Sequence, residues 1–423
     1  MTAPRSSLWR HRDFLRLWAG DSISQIGTAV SLIALPLLAI KVLDATPFEV
    51  GLLTTFETVA FLLVGLPAGA WVDRMRRRHV LIATDIGRAA LLGSLPLAWY
   101  LDLLMLPQLY VVALLTGVLT VFFDVAYQSY LPSLVGRDYL VEGNAKLEAS
   151  RAVAQIAGPS VGGALVQWLT APYAILVDAL SYLWSATWIG AISSREERPE
   201  RAPDRHLVRE IREGLSFVLR NRLLRAITAT TGTSNFFSTI LNTAFIIVLA
   251  DQAQLNLSAG TIGLVFTIGS VGGLLGAVVA ERVARRVGQG ITIWLSILVS
   301  APFALATPLV QQGWALWAVA GCWAVIGFFV VIYNITQVSF RQGLCPERLL
   351  GRMNATIRFL VWGTMPLGAF TGGVLGSTIG VRATMWVGAI GMALAFLPAF
   401  LSPLRTMREL PTSYDVEAAA RPG

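Results

Sequence analysis

The 423-residue sequence is poor in the side chains that do most chemistry: it has two cysteines, three histidines and two lysines, and 14% of its residues are charged. Cys322, inside an apolar run, and Cys345, in a connection, make no disulfide framework and match no metal-ligand spacing. No metal and no cofactor is therefore expected. No phosphate-cradling Walker loop is present, which argues against ATP-driven pumping, and no nucleophile, base and orienting group occur as a set, so the chain does not read as an enzyme. The formal net charge of +8 raises the question of nucleic acid. Its arginines are dispersed among connections rather than gathered in one basic domain, so no nucleic-acid partner is expected. The apolar run after Arg16 is too long for a cleaved signal and lacks a small-residue cleavage site, and the first span is read as its own uncleaved membrane address.

What is abundant is apolar surface. Hydrophobic residues make up 55% of the chain, with 38 glycines and a mean hydropathy of +0.64, more than a soluble globule can bury. A helical span needs roughly 20 apolar residues, and twelve windows qualify: 14–42, 47–72, 79–101, 107–133, 144–169, 172–193, 223–250, 258–280, 289–310, 313–340, 353–379 and 382–403. Arginine alternates between their connections. The N-terminal segment carries Arg5, Arg10, Arg12 and Arg16, Arg74, Arg76, Arg77 and Arg78 fill the connection after the second span, and nine arginines lie in 194–225. The intervening connections near 44, 103, 171, 251, 311 and 381 hold only Lys41 and Arg382. The positive-inside rule then puts both termini and the middle connection in the cytosol of a multi-pass cell (inner or plasma) membrane protein.

The halves repeat. A shift of 210 lays NAKLEASR from Asn144 on NATIRFLV from Asn354, Asp124 on Asn334, and Gly158, Gly162 and Gly163 on Gly368, Gly372 and Gly373; Gly69 meets Gly276 at a shift of 207. The fold class expected is an all-α membrane protein of twelve transmembrane helices in two pseudo-symmetric six-helix bundles. Residues 1–193 would form the first bundle, 194–222 a cytosolic linker, 223–405 the second bundle and 406–423 a cytosolic tail. In the linker, Leu207, Ile211, Leu215 and Val218 or Leu219 alternate with Arg and Glu, as in an amphipathic helix lying on the inner membrane surface.

The stretch GLPAGAWVDRMRRRHV, residues 65–80, carries the most specific signal. With twelve spans in two repeats, it resembles the major facilitator superfamily: Gly69, Asp73, Arg74, Arg77 and Arg78 match the family's loop 2-3 signature, with Arg76 where a glycine is usual. AQIAGPSVGG, containing Gly158, Pro159, Gly162 and Gly163, is similar to the family's antiporter motif. FFDVAYQSYLPSLV and LVEGNAKLEASR further resemble the branch of macrolide-efflux and enterobactin exporters. The resemblance implies alternating access, with Gly69, Asp73, Arg74 and Arg77 as a latch, Asp124 gripping it from span four, and Gly158, Pro159, Gly162 and Gly163 in a close-packed gating seam.

Ionisable groups within spans cost several kcal/mol and are kept for a partner, water or a task. At ~1.5 Å per residue, Asp21, Asp124 and Arg151 lie at similar depth in spans one, four and five, where they could meet. Glu57 lies nearer mid-membrane. Removing water from a carboxylate raises its pKa by up to ~3 to 5 units, so Glu57 and Asp21 are the expected proton carriers, with Arg151 opposing protonation. Asp85 and Arg88, at i and i+3, read as a local ion pair, and Asp178 as a residue close to the outer face. The second half offers neutral polar groups instead. Gln25, Phe56 and Glu57, with Asn235, Phe236, Asn242, Tyr333, Asn334 and Gln337, are the candidate substrate contacts.

The function expected is a monomeric secondary active transporter exporting an amphipathic small molecule (a drug, antibiotic or siderophore-like compound) by proton antiport, with substrate, protons and the lipid bilayer as partners. Import or passive facilitation of a metabolite is the alternative, and a non-transporting sensor or lipid-flipping protein the third reading. Span four lacks the intramembrane arginine carried by many drug-proton antiporters of the superfamily.

Overall fold

The computed structural model describes residues 8–72, 74–136, 139–194, 196, 207–346 and 349–408. The order is α1 (Arg12–Val42), α2 (Pro47–Val72), α3 (Arg77–Tyr100), α4 (Leu106–Val135), α5 (Leu140–Leu169), α6 (Ala171–Gly190), α7 (Leu207–Arg220), α8 (Arg222–Ala250), α9 (Ala259–Val287), α10 (Gln289–Ala306), α11 (Trp314–Leu344), α12 (Leu350–Trp362), α13 (Thr364–Thr378), α14 (Val381–Leu394) and α15 (Leu397–Phe400). The twelve sequence windows fall on α1–α6, α8–α11, the α12–α13 pair broken at Gly363, and the α14–α15 pair. Among the described residues, ten helical stretches are long and apolar enough to cross a membrane; α5 and α6, which carry Lys146, Glu148, Arg151 and Asp178, fill the remaining two places.

The repeat is visible in how helices begin and end. His11 caps α1 by accepting from the Phe14 amide (3.1 Å), and 210 residues on Asn221 caps α8 by accepting from Leu223 (2.9 Å) and Leu224 (3.1 Å). Such caps satisfy amides that a helix start leaves without partners. The turn between α5 and α6 passes through Thr170 at φ 78°, ψ 161°, and its counterpart after α13 through Gly380 at φ 86°, ψ 151°. The pairing of Gly69 with Gly276 is corrected by packing. Gly117 of α4 lies on the Glu57 carbonyl and Gly327 of α11 on the Gly269 carbonyl, so α2 and α9 correspond at a shift of 212, matching their starts at Pro47 and Ala259.

Two compact units divide the chain. One comprises Met1–Ala45, Phe56–Ala202 and Leu257–Thr267; the other Thr46–Thr55, Pro203–Asn256 and Ile268–Gly423. The first turns of α2 thus pack with second-half helices, where Gly51 lies on Gly373 and Thr55 donates to the Pro366 carbonyl. The first turns of α9 pack with first-half helices, where Lys41 Nζ donates to the Leu257 carbonyl (2.8 Å). The linker helix α7 forms, and one side of it packs on protein. Val218 is buried with Leu344, Leu349, Met353 and Ile357, Gly214 meets Arg352 and Thr356 of α12, and Glu213 pairs with Arg352. Leu215 and Leu219 of the same stripe stay exposed, so α7 rests on α12 through Val218 and Gly214 while part of its apolar face is left open.

Candidate functional site

In the first unit, α1, α4 and α5 enclose a cavity of about 80 Å³. Two features bring α1 and α5 close enough to share it. Gly158 and Gly162 let α5 approach Ala29 and Val30, where a side chain at Gly162 would sit 3.0 Å from Val30 Cα, the close approach that small-residue stripes permit. Toward the N-terminal end of α1, Trp18 Nε1 donates to Ser150 Oγ (2.9 Å). Asp21 lies one turn further along α1 and α5 carries Arg151 beside Ser150.

Asp21, Gln25, Asp124, Tyr127, Glu148 and Arg151 line the cavity, with Gln128, Leu131, Asn144 and Leu147 completing its wall. Asp21 is 2% exposed and accepts from Gln25 Nε2 (3.2 Å), its i+4 neighbour. The Tyr127 hydroxyl lies near the same carboxylate without a hydrogen-bond partner, and Arg151 and Asp124 lie within electrostatic range of it. Arg151 forms its ion pair with Glu148 at 3.4 Å. Sequence reasoning missed Glu148, Tyr127, Gln128 and Asn144, although Asn144 opens the segment that aligned the two halves. A void of this size holds several waters and is well short of the roughly 300–1,000 Å³ that a drug-sized molecule occupies.

The other expected site residues fall elsewhere. Glu57 of α2 lies outside this cavity, half-buried, with Gly117 against its carbonyl; among the described residues its carboxylate makes no hydrogen bond or ion pair. Phe56 packs on Tyr110 with ring centroids 5.5 Å apart. In the second unit, Asn235 donates to the Val361 carbonyl (3.4 Å), Phe236 packs edge-on against Phe237, Asn242 and Asn334 are exposed, Tyr333 is 4% exposed with its hydroxyl on Thr231, and Gln337 is 4% exposed.

Of the expected latch, Asp73 lies outside the described residues. Gly69 has no neighbour where a side chain would extend, and Arg74 is exposed. The other arginines bind within their own unit. Arg78 donates to the Ile189 (3.3 Å) and Gly190 (2.5 Å) carbonyls at the end of α6, where cations complement the helix dipole. Glu196 accepts from the amides of Arg77 (3.0 Å) and Arg78 (3.1 Å) at the start of α3. Gly163 meets the Ala259 carbonyl and Gly263 meets that of Pro159, so the α5 motif packs backbone on backbone against α1 and the start of α9.

A second polar cluster lies wholly in the interior of this unit. Asp178 is fully buried and accepts from Ser31 and from Ser181 (3.1 Å). Serines from α1 and α6 serve its carboxylate inside the bundle. Asp85 and Arg88 form the expected i, i+3 pair. The Arg88 guanidinium also lies 4.3 Å from the Phe123 ring centre and 4.1 Å from that of Tyr182, while Tyr182 shares a 2.8 Å hydrogen bond with Thr28.

Two repeated bundles of membrane-length helices, with acids and an arginine around a small polar cavity, define a multi-pass membrane carrier of small molecules. The chain belongs to the Major Facilitator Superfamily, whose family model matches residues 17–363 and 231–421. It is 27% identical over 399 residues to the multidrug efflux pump Tap of Mycolicibacterium fortuitum, covering 91% of this chain and 93% of that protein. It is 25% identical over 355 residues to the enterobactin exporter EntS of Escherichia coli O127:H6, covering 82% of each. Among solved structures, a bacterial homologue of the iron transporter ferroportin in an inward-facing state matches with a TM-score of 0.72 at 17% identity, over 94% of this chain and 99% of that one. The nucleoside transporter NupG matches with a TM-score of 0.73 at 12% identity, over 92% and 99%. These likenesses confirm the fold.

Proposed function

We propose that this transporter exports an amphipathic small molecule across the cell membrane by alternating access, with inward proton movement as its driving force and both termini in the cytosol. The observation that carries the reading is the Asp21 cavity: a dry carboxylate beside water-sized space, with Arg151 and Asp124 in electrostatic range. In this reading, Arg151 moving between Glu148 and Asp21 changes the counter-charge beside the Asp21 carboxylate and so times its uptake and release of a proton. Glu57 serves as a second proton carrier or as a contact for a cationic group on the substrate, since among the described residues no group pairs with its carboxylate. The names of the two relatives, an efflux pump and a siderophore exporter, support outward transport of a drug-like or siderophore-like cargo.

Accumulation in inside-out vesicles tests the reading, using a panel of antibiotics and siderophores. An exporter of this kind concentrates its substrate when the vesicle interior is acidified, and Glu57→Gln reduces that pH dependence. Entry only to equilibrium, with or without the gradient, would instead establish facilitation.

A further inference from the structure

The wall of the Asp21 cavity has a counterpart in the second unit, 210 residues on, and its charge is reversed. Asp21 becomes Thr231, Gln25 becomes Asn235, Asp124 becomes Asn334, Tyr127 becomes Gln337, Leu131 becomes Arg341 and Glu148 becomes Arg358. The matched caps of α1 and α8 and the matched starts of α5 and α12 show that this shift is structural as well as textual. Three acids and one arginine line the first wall. The second has two arginines and no acid.

Arg341 is partly buried and lies within electrostatic range of Arg358 and of Tyr333. Arg358 rests on the Trp362 ring at 4.5 Å, which leaves the edge of its guanidinium for another partner. Among the described residues no carboxylate is within ion-pair distance of either arginine. Arg341 Nε and, one turn earlier on α11, Gln337 Oε1 are buried atoms without a hydrogen-bond partner, and Gln337 is 4% exposed. A partly buried arginine whose Nε is left open beside an open acceptor on Gln337, with a second, exposed arginine in electrostatic range, is the arrangement an oxyanion bearing one proton satisfies. Tyr333 does not fill that role, because its hydroxyl is taken by Thr231.

We propose that Arg341, Arg358 and Gln337 form a binding site for an oxyanion group, phosphate or carboxylate. Planar guanidinium groups match the paired oxygens of either group. A phosphate that keeps one proton also offers a hydroxyl to Gln337 Oε1, so phosphate fits the open atoms better. The group belongs either to a free solute or to a phospholipid headgroup. The site needs no assumption about the direction of transport or proton coupling.

Thermal unfolding of the purified full-length protein, titrated with sodium phosphate or sodium benzoate against sodium chloride of equal ionic strength, reads the free-solute arm. Native mass spectrometry after reconstitution in phosphatidylcholine with or without phosphatidylglycerol reads the lipid arm. Wild type is expected to show a saturable stabilisation by phosphate, or selective retention of phosphatidylglycerol. Arg341→Ala should weaken whichever is seen by about tenfold or more, the scale of one charge-assisted hydrogen bond. Arg341→Lys should retain fold and charge and bind at an intermediate level, which separates loss of the site from loss of the protein. Absence of both effects in wild type, or an Arg341→Ala variant that binds as wild type does, would overturn the proposal. Neither readout uses transport, so a failed export reading leaves this one intact.

Discussion

Asp21→Asn is expected to give a folded, membrane-inserted protein that no longer concentrates substrate in acid-filled inside-out vesicles. Asparagine has the same shape, and its carbonyl still accepts from Gln25, which lies 3.2 Å from the native carboxylate. With only 2% of the residue exposed, the packing around it needs no rearrangement. What the substitution removes is the ionisable group that, in the proposed coupling scheme, takes up and gives back a proton opposite Arg151. Gradient-driven accumulation should therefore fall to background, while substrate-for-substrate exchange, which requires movement of the carrier but no net proton transfer, continues. Asp21→Glu should restore part of the drive. Equal accumulation by wild type and Asp21→Asn would remove Asp21 from the coupling scheme, and loss of exchange along with accumulation would mark it as structural.

The largest stability effect is expected at Arg88. Its guanidinium neutralises Asp85, a residue with no exposed surface, and lies between the rings of Phe123 and Tyr182. Arg88→Met keeps much of the apolar volume but leaves the carboxylate without its counter-charge, and breaking a buried pair from one side costs about 3–5 kcal/mol. The same principle predicts that Asp85→Leu with Arg88→Met recovers most of the loss, because no lone charge remains inside. Unfolding by sodium dodecyl sulfate in mixed micelles, followed by circular dichroism, compares the three proteins. A single variant as stable as wild type, or a double variant no better than the single, would contradict this account.

Helices, their number and the doubling were legible because bilayer thickness imposes a length on every span and 210-residue self-similarity needs no knowledge of contacts. The shared depth of Asp21, Asp124 and Arg151 was legible for the same reason, since rise per residue converts position into height. Direction around the helix was not. Asp178 has the right height for the outer face, yet it points into the α1–α6 seam, where Ser31 and Ser181 wait for it. Glu148 escaped notice because it stands a turn from Arg151 on a segment that begins in polar sequence, and only three-dimensional packing shows that both line one wall. The linker stripe falls on the helix α7, but a pattern of apolar residues does not say whether lipid or protein covers it. The α2–α9 correspondence needed contacts too, because matching Gly69 to Gly276 aligned two similar residues rather than two equivalent places.

The paired turns at Thr170 and Gly380 have one more consequence. Their dihedral angles nearly coincide, in a region that only glycine enters without cost, at about 1–3 kcal/mol for other residues. The two copies of the duplicated architecture have therefore kept a backbone path while parting over the residue that follows it, and the earlier copy carries a standing penalty. Thr170→Gly should relieve it and raise the unfolding temperature, an unusual gain from shortening a side chain to nothing, whereas Gly380→Thr should impose the same burden on the later copy.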